Sequence, residues 1–82
     1  MNLVELTEFI VKSLVTNKEN VSVKEFPTEE ENTILIEVLV DSEDIGKVIG
    51  KGGRLANSIR TLVQASSYIK DNKKVKINID SF

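Results

Sequence analysis

The chain has 82 residues, enough for one domain over 1–82 with a thin core that buries about 60–65% of the unfolded surface. Its 40% apolar and 29% charged content, with four glycines and one proline, excludes collagen-like and disordered chains. Lacking cysteine and histidine, it also excludes zinc ribbons, His-ligated haem, Cys or Ser–His nucleophiles and disulfide scaffolds, while its net charge of −2 favours no anionic partner.

The start MNLVELTEFI carries Glu5 and Glu8 where a signal peptide carries basic residues. No stretch approaches the ~18–20 apolar residues of a membrane span, so a cytoplasmic protein without membrane contact is expected. Asn2 with Glu5 makes a capping-box pattern, and Leu3, Leu6, Ile10 and Leu14 recur at helical spacing, predicting a helix over 3–16. The polar run 17–20 breaks it. Val21 and Val23 alternate with polar residues up to Phe26, a short strand stopped by Pro27, and 27–32 reads as a hairpin loop. Residues 33–40 form the strongest strand. Ile34, Ile36, Val38 and Val40 share one face while Leu35 and Leu39 flank Glu37 on the other, the two-sided apolarity of a central strand.

Asp41-Ser42 then caps a short helix over about 42–49, with Glu43 and Asp44 in its first turn, where the dipole favours acids. Gly50 to Gly53 interrupt it. A third helix follows over 54–69, with Leu55, Ile59, Leu62, Val63 and Ser66 on one face, and Asp71-Asn72 turns the chain into a last strand over 74–80. The order α-β-β-α-α-β predicts an α+β fold. It is a two-layer α/β sandwich of three helices on a three-stranded mixed sheet, the last strand parallel to the central one.

Charge divides along the chain. Residues 1–44 hold three lysines against eleven acids (−8), and residues 45–82 hold eight basic residues against Asp71 and Asp80 (+6). All four glycines lie in Gly46-Lys47-Val48-Ile49-Gly50-Lys51-Gly52-Gly53. This is no P-loop, since three residues separate Gly46 from Gly50 and Lys51 precedes a glycine rather than Ser or Thr. Nor is it a dinucleotide fingerprint, because a helix and not a strand leads into it. What remains is a helix–G-x-x-G–helix turn. Such a turn lets a sugar–phosphate chain approach the backbone, and the next helix aims free N–H groups at it. Lys51 lies inside the turn, and Lys47 and Arg54 flank it. The plain alternative is a tight αα-turn whose glycines serve packing alone.

Val48-Ile49-Gly50-Lys51-Gly52-Gly53, with the element order, resembles the V-I-G-x-x-G signature of KH domains in their type II arrangement. Gly-Lys-Val-Ile-Gly-Lys-Gly-Gly-Arg and Ile-Arg-Thr-Leu-Val, in a stand-alone domain of this length, are similar to the small bacterial KhpA family. The resemblance covers nearly the whole chain and implies a type II KH fold and a non-enzymatic RNA-binding protein, an RNA chaperone without cofactor or metal. It also implies self-association and a KhpB-type KH partner, in processes linked to cell-wall growth and cell shape. The ligand implied is single-stranded RNA, with single-stranded DNA second. Gly50, Lys51, Gly52 and Gly53 match the loop that in KH domains clamps four nucleotides. Lys47 and Arg54 are expected as phosphate partners, Asn57 and Arg60 as contacts further along the helix, and Ile36, Ile45, Val48 and Ile49 as core residues that also line the groove. Ala56 stands where many KH domains carry isoleucine, which implies a shallower groove.

Lys70, Lys73, Lys74 and Lys76 read as a charged strand edge. The four aromatics (Phe9, Phe26, Tyr68, Phe82) are too scattered for a stacking platform. Apolar residues on the first and third helices exceed what one sheet can bury, which predicts a homodimer with Leu62 and Val63 near its seam. A protein-interaction adaptor with the KH fold and little affinity for nucleic acid is the alternative function.

Overall fold

A computed structural model describes residues 1–82. The element order is α1 (Leu3–Lys12), β1 (Ser22–Pro27), β2 (Thr33–Val40), α2 (Ile45–Ile49), α3 (Arg54–Lys70) and β3 (Lys74–Ser81), with single 3-10 turns at Lys18–Asn20 and Lys51–Gly53. The sheet runs β1-β2-β3. β1 pairs antiparallel with β2, Val23 opposite Val38, and β3 pairs parallel with β2, Ile77 opposite Ile36. The expected mixed sheet with a central second strand is therefore present. One face of β2 supplies Ile34, Ile36, Val38 and Val40 to the core, while Leu35, Glu37 and Leu39 on the other face stay half-buried.

The helices pack on that face by stripes other than those the bulkiest residues suggest. In α1 the buried row is Leu3, Thr7 and Val11, continued by Val15 beyond the helix, and Leu6, Ile10 and Leu14 are only half-buried against it. Thr7 is tolerated because its Oγ1 donates to Leu3 O at 2.8 Å. In α3 the buried row is Ala56, Ile59, Val63 and Ser67, so of the expected face Ile59 and Val63 meet the sheet, Ser66 is half-buried, and Leu55 and Leu62 are exposed. Small residues at both ends of the row let the helix axis lie close to the strands, and Ser67 Oγ donates to Lys73 O at 2.7 Å.

Two helix boundaries differ from the sequence reading for one cause. α1 stops at Lys12 instead of continuing to 16, and α2 begins at Ile45 instead of 42. Asp44 is not a solvent-facing helix-start acid but a fully buried carboxylate. Its Oδ1 accepts from Thr16 N (3.2 Å), and its Oδ2 accepts from Asn17 N (2.9 Å) and Asn17 Nδ2 (3.1 Å). Those amides leave the α1 ladder to bind it. Asp41 takes the local turn, accepting from Glu43 N at 2.9 Å. No helix is long and apolar enough to cross a membrane.

Candidate nucleic-acid interface

α2 and α3 meet in a turn made almost wholly of glycine. Gly50 combines φ 74° with ψ 176°, a conformation essentially closed to residues with a Cβ. A Cβ there would stand 2.9 Å from Leu55 Cβ and 3.1 Å from Leu55 N, so the loop backbone lies directly against the first turn of α3. Gly52, at φ 63°, does the opposite, since nothing lies within 4 Å of where its Cβ would be. The turn is thus anchored at one glycine and open at its tip.

Hydrogen bonding leaves donors at that tip. Gly50 N–H donates to Gly46 O (3.0 Å), Gly53 N–H to Gly50 O (3.2 Å), and Arg54 N–H to Lys51 O. The N–H groups of Lys51 and Gly52 between them take no backbone acceptor. They sit at the N-terminal end of the 17-residue α3, where the helix dipole favours an anion. Lys51 and Arg54 are exposed beside them and enter no ion pair. From Arg54 to Lys70 α3 has no acid, and β3 has none before Asp80.

Lys47 is placed differently from the expectation of a free phosphate partner. Its Nζ donates to Thr16 Oγ1 at 2.6 Å and lies 3.2 Å from Asp44 Oδ1, so part of its charge is spent on the latch between the α1 terminus and α2. The Asn17 backbone N–H is the main reason the Asp44 carboxyl is held down at about 2. Burial pushes the other way, and the Thr16 N–H, Lys47 and the Asn17 side chain add to the lowering. The latch sets α2, and with it the glycine turn, against the rest of the domain.

Beyond the turn, α3 runs back along the free edge of β3. Lys74 N and Phe82 N donate towards β2, so the alternate residues Val75, Ile77 and Ile79 turn their backbone groups outward. Arg60 Nε donates to Ile77 O at 3.3 Å and its Nη1 to Asn57 Oδ1 at 3.2 Å. Gln64 closes the next step, donating from Nε2 to Lys73 O (3.0 Å) and accepting from Val75 N (2.8 Å). The N–H of Ile77 and both groups of Ile79 remain open, level with the start of α3. The edge was read from its lysines, but its open backbone groups and Gln64 were missed, because a side chain that caps a backbone edge has no residue-type signature. The available signal was topological: a third strand parallel to a central one must have a free side.

The structure brings Gly50, Lys51, Gly52, Gly53, Arg54, Asn57 and Arg60 into one surface, with Ile45 and Ile49 half-buried beneath it. It separates the others. Ile36 and Val48 are fully buried and belong to the core alone, so neither lines a groove. Val63 is likewise buried against the sheet and cannot face a partner, whereas its neighbour Leu62 is 57% exposed.

Comparison with known proteins agrees with this architecture. The profile of the family described as KhpA/KhpB, KH domain, matches residues 4–79. The RNA-binding protein KhpA of Clostridium perfringens is 53% identical over 75 residues, covering 92% of this chain and 96% of that protein. That of Caldanaerobacter subterraneus subsp. tengcongensis is 47% identical over 75 residues, again 92% of this chain and 96% of its own. Among solved structures, Aquifex aeolicus Era bound to GDP and aluminium fluoride superimposes with a TM-score of 0.69 at 19% identity, over 98% of this chain and 30% of that longer one.

Proposed function

The chain belongs to the KhpA/KhpB KH-domain family, and from that premise we propose that it is a cytoplasmic binding module, not an enzyme, that grips single-stranded RNA at the glycine turn. The observation that carries the reading is the tip itself. Two unbonded N–H groups, an unobstructed Gly52 and the unpaired cations Lys51 and Arg54 converge where α3 begins. A phosphate is the ligand this arrangement suits: the amides donate, the dipole and cations neutralise, and no side chain blocks approach. The open N–H and C=O groups at Ile77 and Ile79 offer donors and an acceptor to a base edge, while half-buried Ile45 and Ile49 give it an apolar floor. Single-stranded DNA is the second ligand. The family resemblance extends the reading to an RNA-chaperone role exercised with a KhpB-type partner, in processes linked to cell-wall growth and cell shape.

A second surface favours self-association. Leu55, Ser58, Leu62, Ala65 and Ile69 recur at alternating three- and four-residue spacing along α3, all exposed, with Ile69 at 86%. Three large residues with small ones between suit knobs-into-holes packing against the same helix of a second copy. Apart from Ala65, this face is distinct from the Arg60–Gln64–Tyr68 row beside the β3 edge, so a homodimer, or a pairing with a KhpB-type protein through the same stripe, leaves both glycine turns open.

The test replaces the tip's charge. Lys51→Asp with Gly52→Asp puts two carboxylates where the phosphate sits and touches no core residue. Affinity for a short single-stranded RNA, read by fluorescence anisotropy at a temperature where the variant is fully folded, falls at least tenfold, roughly 1.4 kcal/mol. With about two to four phosphates neutralised, log affinity falls against log salt with a slope of about −1.4 to −2.8 in the unmodified chain. Unchanged binding in the double variant, or a flat salt response, defeats the reading.

A further inference from the structure

The surface along β3 continues past Arg60. Arg60, Gln64 and Tyr68 follow at four-residue spacing on α3, one row facing the strand edge. With Thr61, Ala65 and Val75 they line a shallow hollow of about 450 Å³. Arg60 and Gln64 are fixed in its wall by their bonds to Ile77 O, Lys73 O and Val75 N. Tyr68 stands 54% exposed beside it, at the end of a helix with no acid before Asp71. Lys73 and Lys74, where β3 begins, are exposed and enter no ion pair.

We propose that this hollow is a further base subsite: RNA extending beyond the nucleotides held at the glycine turn stacks one base on the Tyr68 ring and passes its phosphate to Lys73 or Lys74. The inference rests on the RNA-binding reading above and lengthens its footprint. Three observations favour a nucleotide over an apolar peptide. The hollow is continuous with the edge that begins at the turn, its lining includes Arg60 and no acid, and its one large apolar element is a flat ring held beside fixed polar groups. Stacking on such a ring tolerates any base, so this subsite contributes affinity and length preference and carries little sequence preference.

Tyr68 is the sole tyrosine and the chain has no tryptophan, so its emission reports on this subsite without a label. Oligoadenylates of four and eight nucleotides are titrated into the full chain, affinity being followed by calorimetry and Tyr68 by fluorescence. The octanucleotide quenches Tyr68 emission and the tetranucleotide binds without quenching. Tyr68→Ala weakens the octanucleotide about tenfold and leaves the tetranucleotide unchanged, while Tyr68→Phe retains wild-type affinity. Octanucleotide binding with unchanged emission, or equal loss for both lengths in Tyr68→Ala, overturns the subsite and leaves the turn's role standing. A Tyr68→Ala chain that loses self-association but no RNA affinity assigns the ring to a protein interface and overturns it as well. Binding of neither oligonucleotide overturns the RNA reading itself, and this subsite with it.

Discussion

Alanine placed at each of three glycines in turn separates backbone geometry from packing in the α2–α3 connection. At Gly50 the substitution is penalised twice. A non-glycine residue at φ 74°, ψ 176° costs about 1–3 kcal/mol. The added Cβ, 2.9 Å from Leu55 Cβ and 3.1 Å from Leu55 N, meets backbone that can retreat only by opening the first turn of α3, a further ~1–3 kcal/mol. The total, about 2–6 kcal/mol, is a large part of the roughly 4–12 kcal/mol that a domain of this size has. Gly52→Ala at φ 63°, ψ 20° keeps open space around its Cβ and loses only about 1–2 kcal/mol to the left-handed backbone. Gly46 lies within α2, has no positive φ and no neighbour within 4 Å, so Gly46→Ala gains about 0.5–1 kcal/mol. Thermal unfolding of the three variants reads the series directly, at about 4–8 °C per kcal/mol for a chain of this length. Gly50→Ala melts lowest, at least about 10 °C below the parent; Gly52→Ala lies between, and Gly46→Ala sits at or above the parent. A Gly50→Ala chain that melts with the parent, or above Gly52→Ala, refutes the close approach on which this description of the turn depends.

Asp44→Asn removes the charge that holds Thr16 and Asn17 and lowers the melting temperature by several degrees at neutral pH. Because the Asp44 carboxyl is held down at about 2 in the folded chain, its contribution is complete above the ordinary value of 3.8 and is lost as pH falls from there through about 2. Acid melts therefore show a steeper decline over that window in the parent than in Asp44→Asn, and parallel curves contradict the latch. Light scattering at tens of micromolar gives about 18 kDa, twice the 9.2 kDa chain mass. Leu62→Glu returns it to the single-chain mass with stability intact, whereas Val63→Ala costs about 2 kcal/mol of stability and leaves the pair assembled. A parent that runs as a single chain at that concentration rules out the α3 seam.

The regular parts of this fold were legible because pattern and packing agree there. The 33–40 run alternates on both faces, and it is the central strand with those bounds. The glycine turn was legible because its φ values admit few other residues. α1 and α3 misled for a common reason: each carries two apolar stripes, and bulk does not decide which one meets the sheet. Thr7, Ala56 and Ser67 win the inward positions by being small or by satisfying their own hydroxyls, which hydrophobicity alone does not reveal. Asp44 misled because a carboxylate just before a helix has two good fates, dipole partner or buried latch. The choice lay with Thr16 and Asn17, nearly thirty residues away in sequence. Lys47, expected beside the turn as a phosphate partner, also reaches that same carboxylate, a contact the sequence did not reveal.

The separation of charge along the chain survives folding, and it governs how an RNA strand arrives. Eleven of the thirteen acids lie on α1, the 3-10 turn, the first two strands, their hairpin and the turn before α2, while the acid-free helix and the strand beside it hold the cations. At a distance a polyanion meets a protein of net charge −2 and is weakly repelled. Within a Debye length, about 8 Å at physiological ionic strength, only the near side counts, and the cationic side alone turns the encounter attractive. If the strand is gripped at the glycine turn as proposed, most collisions in the wrong orientation separate at once, and the few that persist already have the turn facing the strand. A uniformly basic protein would instead linger on any nucleic acid in any pose. On that proposal the arrangement gives up capture range in exchange for orientation and rapid release.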